Sequence, residues 1–175
     1  MTAIMRLLGL GTHTASGPAG LRVRPLGASD LAAVERYLLS LAPADRRARF
    51  LGDPSDAVIA AHARGLDPSG TILIGAIDGS ACLIGLAEAY PCDAQRIVEV
   101  AVSVDAAFRR RGVGRRLVLG VLTLAFARGA ESAEFVSAPD NHALARLVQG
   151  LGGRTRSLGH FSIDCSVDFA RRNAA

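Results

Sequence analysis

The sequence contains no lysine: all twenty residues in its basic count are arginine. That absence excludes a P-loop lysine on phosphates, a Schiff-base lysine and a Ser-Lys dyad. Tryptophan is also missing and aromatic residues make up 5% of the chain, which argues against a platform for stacking the bases of single strands. Cysteine is sparse, at Cys82, Cys92 and Cys165. An odd number at wide spacing gives neither a disulfide framework nor a paired metal motif. These residues read as small buried or half-buried thiols in a reducing compartment. His13, His62, His142 and His160 have no metal-ligand spacing among themselves or with cysteine and read as surface or helix-terminal residues, so no metal is expected. No hydrophobic run is long enough to span a bilayer. The apolar stretch around Leu7, Leu8 and Leu10 is broken by Arg6 and glycine, and a secretory segment is not expected either. The expected location is the cytoplasm.

What remains is a chain of 175 residues, half of them hydrophobic, with 21% charged and a formal charge of +4. Such a chain forms a core rather than a disordered coil, and its length suits one domain. The basic surplus points to a phosphate-bearing partner, either nucleic acid or a phosphorylated cofactor. Residues 1–20 read as a flexible leader and residues 21–170 as the folded domain.

Along the chain, Leu21 to Leu26 alternates as a half-buried strand. Ser29 and Asp30 offer an N-cap to a helix reaching Leu41, and Pro43 opens a short helix bearing Arg46, Arg47 and Arg49. Ala57 to Arg64 is a third helix. Thr71 to Ile77 and Ala81 to Tyr90 are strands joined at Asp78-Gly79, a hairpin signal. A loop at Pro91 to Ala94 leads to a strand from Arg96 to Val104. A helix from Gly112 to Ala127, a strand from Glu134 to Ser137, a helix from Asn141 to Gly150 and a strand from Phe161 to Val167 complete the order. The fold class is α+β, or mixed α/β, around one central sheet.

The chemistry concentrates where the strand ending at Val104 turns through Asp105-Ala106-Ala107-Phe108 into Arg109-Arg110-Arg111-Gly112-Val113-Gly114-Arg115-Arg116. Glycines let backbone N–H groups approach a ligand closely, and a helix N-terminus adds unsatisfied donors and partial positive charge. Five of the twenty arginines fall between positions 109 and 116. The segment is an anion site suited to a pyrophosphate. It is not a dinucleotide fingerprint, because Leu117 stands where the third glycine belongs. The competing reading is a solvated basic loop or a nucleic-acid patch.

Arg109, Gly112 and Gly114, set between a strand and an apolar helix, resemble the acyl-CoA motif of the GNAT superfamily of N-acetyltransferases. The resemblance extends over residues 21 to 167. The run from Leu41 to Leu51, with Arg46-Arg47-Ala48-Arg49-Phe50, is loosely similar to the GNAT modules of bacterial protein-lysine acetyltransferases. The resemblance implies a single GNAT-like domain with a mostly antiparallel sheet flanked by helices, whose fourth and fifth strands splay apart. Acetyl-CoA would be the co-substrate. Backbone groups of Val102, Ser103 and Val104 would meet pantetheine, and the amides of Arg110, Arg111, Gly112, Val113, Gly114 and Arg115, beside Arg109, would cradle the pyrophosphate. Asn141 matches the family's cofactor-contacting asparagine; its plainer role is to cap the helix that follows.

Strand alternation turns Val98, Val100, Val102 and Val104 toward the core and Glu99, Ala101 and Ser103 toward a cleft. Glu99 stands ten residues before Arg109, where the lysine-acetyltransferase subgroup carries its general base; otherwise it is an ordinary exposed strand glutamate. An acceptor amine with a pKa of about 10.4 must lose a proton before it attacks a thioester, and a carboxylate can take that proton. If the preceding hairpin is symmetric about positions 93 and 94, Glu88 faces Glu99 directly and the two carboxylates form a catalytic pair. Two departures from the family stand out. Val148 occupies the position of a tyrosine that protonates the leaving thiolate in many members, and Gly152-Gly153 replaces the usual Gly-Phe. Tyr37 and Tyr90, the two tyrosines present, could substitute if the fold brings either to the sulfur.

The expected function is acetyl or short-acyl transfer from acyl-CoA to a primary amine by direct attack in a ternary complex. The acceptor is a small molecule or a protein lysine, with neither nucleic acid nor a membrane as partner, and the protein is a monomer or homodimer. The alternative is a non-catalytic acyl-CoA-binding sensor or partner module.

Overall fold

The computed structural model describes residues 20–92, 96–137, 141–157 and 163–168. The expected leader, apart from Gly20, lies outside them, as do residues 161 and 162 of the expected last strand. Strand β1 (Arg22–Pro25) leads through a short 3-10 turn to helix α1 (Leu31–Ser40), followed by α2 (Pro43–Phe50) and α3 (Asp56–Arg64). Strands β2 (Ile72–Ile77), β3 (Leu83–Cys92) and β4 (Ile97–Val104) form a meander. A second 3-10 turn then precedes α4 (Val113–Ala127), β5 (Ser132–Ser137), α5 (His142–Gln149), β6 (Arg154–Ser157) and β7 (Ile163–Asp168). The sheet order is β1-β2-β3-β4-β5-β7-β6, antiparallel except for the β4–β5 pair.

Local chemistry accounts for most boundaries. Pro43 opens α2, where its missing N–H costs nothing. Ser55 Oγ accepts from the Val58 amide to cap α3. Asp78 Oδ1 accepts from the amides of Ser80 and Cys82, each at 2.9 Å, to shape the β2–β3 turn. Asp30 stands at the expected N-cap position of α1 but makes no side-chain cap bond there: its carboxylate accepts from the Gly27 amide and pairs with Arg24. Strand β6 has no counterpart in the sequence reading. Its Arg-Thr-Arg-Ser alternates without an apolar residue, so a sheet-edge strand left no hydrophobic period to detect.

Both faces of the sheet are covered where β2 runs, and all six of its residues are buried. On one face α4 crosses β1 through β5 and α5 packs on β6 and β7, around Ile74, Val100, Leu117, Val121, Phe135 and Val148. On the other, α1 and α3 bury Val34, Leu38 and Ile59 against Leu73 and Leu86. Among the described residues no helix is long and apolar enough to cross a membrane.

Candidate active site

Strands β4 and β5 pair over three positions, Ile97–Ser132, Val98–Ala133 and Glu99–Glu134. Beyond Glu99, β4 continues to Val104 paired with β3 alone, while Phe135 to Ser137 of β5 pair with β7. The expected splay is therefore present, and it opens a cleft along Val100 to Val104. The alternation also holds. Val98, Val100, Val102 and Val104 belong to the core under α4, Glu99 is exposed, and Ala101 and Ser103 are half-buried on the opposite face. Val102 and Val104 thus turn their side chains away from the face that carries Glu99, Ala101 and Ser103.

The loop at the mouth of the cleft is tightly organised. Asp105 Oδ1 accepts from the Ala107 amide at 2.8 Å. Arg110 and Gly112 both take left-handed backbone, at φ 62° and 77°, which points successive amides to one side. Gly112 is the N-cap of α4, and the first bond of the helix runs from the Arg116 amide to the Gly112 carbonyl. The amides of Val113, Gly114 and Arg115 therefore have no partner within the helix. A Cβ at Gly112 would meet nothing within 4 Å, so there is room for an anion over these donors. Arg110 and Arg111 are exposed, and Arg111 lies 5.9 Å over the Phe108 ring. The Val113 side chain is buried in the core, which leaves only its amide for a ligand. The residues fit the pyrophosphate of an acyl-CoA.

Arg109 joins the loop to two other elements. Its Nε donates to the Val104 carbonyl at 2.9 Å, and its guanidinium pairs with Asp45 of α2 at 2.6 Å. Asn141 Oδ1 accepts from the Leu144 amide at 3.2 Å, capping α5. Val148 is fully buried, so no acid comes from that position. At Gly153, a Cβ would lie 2.5 Å from the Ser166 carbonyl oxygen and closer still to Val148 Cγ1. The close approach of α5 to β7 explains why no aromatic residue stands there.

The expected pairing of Glu88 with Glu99 is corrected. Glu88 faces Ala101, and Glu99 faces Tyr90. Strand β3 runs on to Cys92, two residues past its expected end. The chain then re-enters β4 through Arg96 in left-handed backbone, so the hairpin centre shifts by one residue and every opposite pair by two. A shift of two preserves the face, and the two carboxylates are diagonal neighbours. The strand partner of Glu99 on its other side is Glu134.

Glu88 is wholly buried in a cluster that the sequence reading missed. Its Oε2 accepts from Arg49 Nε at 3.0 Å and also pairs with Arg49 Nη2. Its Oε1 lies 3.1 Å from His62 Nε2 and accepts from the Tyr90 hydroxyl at 3.0 Å. Burial pushes the Glu88 carboxyl upward, but Arg49 and His62 outweigh it and hold the group below the usual carboxylate range. His62 does lie in the last turn of α3, and it also packs edge-on against Phe50 at 5.4 Å. The Arg46 to Phe50 run was the visible signal for this cluster, but its partners come from two other elements. Tyr37 OH donates to Ser103 Oγ at 3.1 Å; burial raises the phenol pKa of both Tyr37 and Tyr90. Cys82 and Cys92 are exposed, contrary to the expected buried or half-buried thiols, because Cys82 precedes β3 and Cys92 ends it, outside its covered middle.

A sequence model described as the acetyltransferase (GNAT) family matches residues 36–152. Among solved structures, the chain is similar to the GNAT domain of PAT from S. lividans, at 20% identity and a TM-score of 0.71, over 85% of this chain and 90% of that one. It is also similar to spermidine N-acetyltransferase from Vibrio cholerae, solved with CoA and spermine, at 15% identity and a TM-score of 0.69, over 89% and 99%. A third is phosphinothricin acetyltransferase from Sinorhizobium meliloti, solved with AcCoA, at 17% identity and a TM-score of 0.67, over 85% and 88%. No curated protein sequence matches the chain.

Proposed function

Because the chain belongs to the GNAT acetyltransferase family, we propose that it transfers an acetyl or other short acyl group from acyl-CoA to a primary amine by direct attack in a ternary complex. The observation that carries this reading is the open β4–β5 cleft, with the glycine and arginine loop at its mouth and the exposed Glu99 at its closed end.

In this reading the loop amides of Arg110 to Arg115 hold the pyrophosphate, and the backbone of Val102 to Val104 orients the pantetheine arm. Bound acyl-CoA supplies an activated thioester carbonyl. Glu99 accepts one proton from the ammonium group of the acceptor, directly or through water. The freed amine attacks the thioester carbonyl; a C–N bond forms, the new nitrogen cation loses its second proton to solvent, the C–S bond breaks and the electron pair leaves on sulfur. Holding both reactants in one cleft makes the attack effectively unimolecular. With Val148 in place of a tyrosine, the thiolate takes its proton from solvent or from the acid formed on Glu99.

The test is thiol release from acetyl-CoA in the presence of spermidine, single amino acids, amino-terminal peptides and lysine-containing peptides. Release with at least one amine, and stoichiometric acetylation of that amine by mass spectrometry, is the expected outcome. Acetyl-CoA binding with no release across the panel would identify a binding module instead.

A further inference from the structure

Helix α2 has an unusual inner face. Its sheltered residues are Asp45, Arg46, Arg49 and Phe50, at the spacing of one helical stripe, and none of its residues is fully buried. Three of the four are charged, so apart from Phe50, which packs on the second core, the helix is held by ionic contacts where an apolar stripe would normally face the core. Toward its N-terminus, Asp45 pairs with Arg109 of the anion loop. In its middle, Arg46 Nε donates to the Leu41 carbonyl at 2.9 Å, and its guanidinium also engages the Leu39 carbonyl and Asp56. Toward its C-terminus, Arg49 pairs with the buried Glu88, which also binds Tyr90, the strand partner of Glu99. One short helix therefore spans from the loop at the mouth of the cleft to the residues beside the carboxylate at its closed end.

We propose that Asp45 is a positioning residue that couples acyl-CoA occupancy of the loop to the placement of α2, and through α2 to the acceptor side of the cleft. This rests on the acyl-CoA reading of the loop. A guanidinium carries five N–H groups, more than the Val104 carbonyl and Asp45 occupy, so Arg109 can bridge Asp45 and a phosphate oxygen together. An anion in the loop fixes Arg109 from the solvent side. Fixing Arg109 fixes Asp45, and because the apolar anchor of α2, Phe50, sits at its C-terminal end, the N-terminal half is ordered by what holds its charges. The Arg49–Glu88 pair is the opposite case, enclosed and independent of the loop, and acts as the pivot.

Hydrogen exchange of the full chain, with and without CoA, tests this. In the unmodified protein CoA slows exchange both in residues 109–116 and in residues 46–50. In Asp45→Asn, CoA still slows exchange in residues 109–116 but loses its effect on residues 46–50, and Asp45→Glu restores it. Retained CoA protection of residues 109–116 in Asp45→Asn shows that the fold and the loop are intact. Protection of the loop without protection of α2 in the unmodified protein overturns the coupling and leaves the acyl-CoA reading standing. Protection of neither segment overturns both. Unchanged α2 protection in Asp45→Asn also overturns the coupling, since the ion pair would then transmit nothing.

Discussion

Glu88 and Glu99 stand on one sheet face, two residue pairs apart, and their surroundings give them opposite roles. Glu88 is enclosed and paired with Arg49, whose side chain is 8% exposed; Glu99 is open to solvent. Glu88→Gln leaves a buried guanidinium without its counter-charge, so the protein should lose about 3–5 kcal/mol of unfolding free energy in urea titrations. The pH dependence follows from the lowered Glu88 pKa. The stability this group contributes is complete above the ordinary glutamate pKa of about 4.3 and is lost as pH falls through its lower folded value. Unfolding free energy of the unmodified protein should therefore fall below about pH 4, with a smaller fall in Glu88→Gln. Glu99→Gln should change stability by no more than about 0.5 kcal/mol and leave CoA affinity intact. Turnover on an identified acceptor should drop by about 10²–10⁴-fold. Unchanged turnover at saturating acceptor would remove Glu99 from the mechanism.

At the scale of elements, the loop entering α4 depends on backbone that side chains resist. Gly112 sits at φ 77° with open space above it. Gly112→Ala should cost about 1–2 kcal/mol in unfolding measurements, the penalty for a left-handed alanine. The displaced amides should also lower CoA affinity by about tenfold, equivalent to 1.4 kcal/mol; calorimetric titration reads this directly. The loop was legible in the sequence because its signals are local: Arg109, Gly112 and Gly114 lie within six residues, between an alternating strand and an apolar helix. The Arg49–Glu88–His62–Tyr90 cluster was not, since its members come from α2, α3 and β3. Their meeting depends on tertiary packing that no spacing records. Strand register failed for a related reason. The Glu88–Ala101 pairing depends on where the hairpin turns, and Pro91 and Cys92 continue β3 although their composition reads as loop. The α+β order, by contrast, followed from apolar periods that changed from helical to alternating and back.

For the whole molecule, the covered sheet supplies two cores, while the cleft leaves part of β4 without a second strand neighbour. Any ligand that binds this folded cleft and not the unfolded chain stabilises the protein. At a hundred times its Kd, acetyl-CoA should add about 2.7 kcal/mol, seen as a rise in Tm that grows with concentration. An absent shift at millimolar acetyl-CoA would count against the cofactor assignment. The lack of lysine also acts at this scale. With no side-chain amine in its 175 residues, the chain offers only an amino terminus to its own acyl donor.

The place where the sheet parts is also a place where the chain divides. Strands β1 to β4 all precede α4, and β5 to β7 all follow it, so each half of the sheet is one uninterrupted stretch of polypeptide. Three residue pairs stitch the halves together, with α4 laid across the join. A chain nicked at Gly129, between α4 and β5, would yield two fragments that each retain every strand pairing of their own half-sheet. Reassembly of the fragments would recreate the cleft as an interface between two molecules, and restored CoA binding would report that they had met.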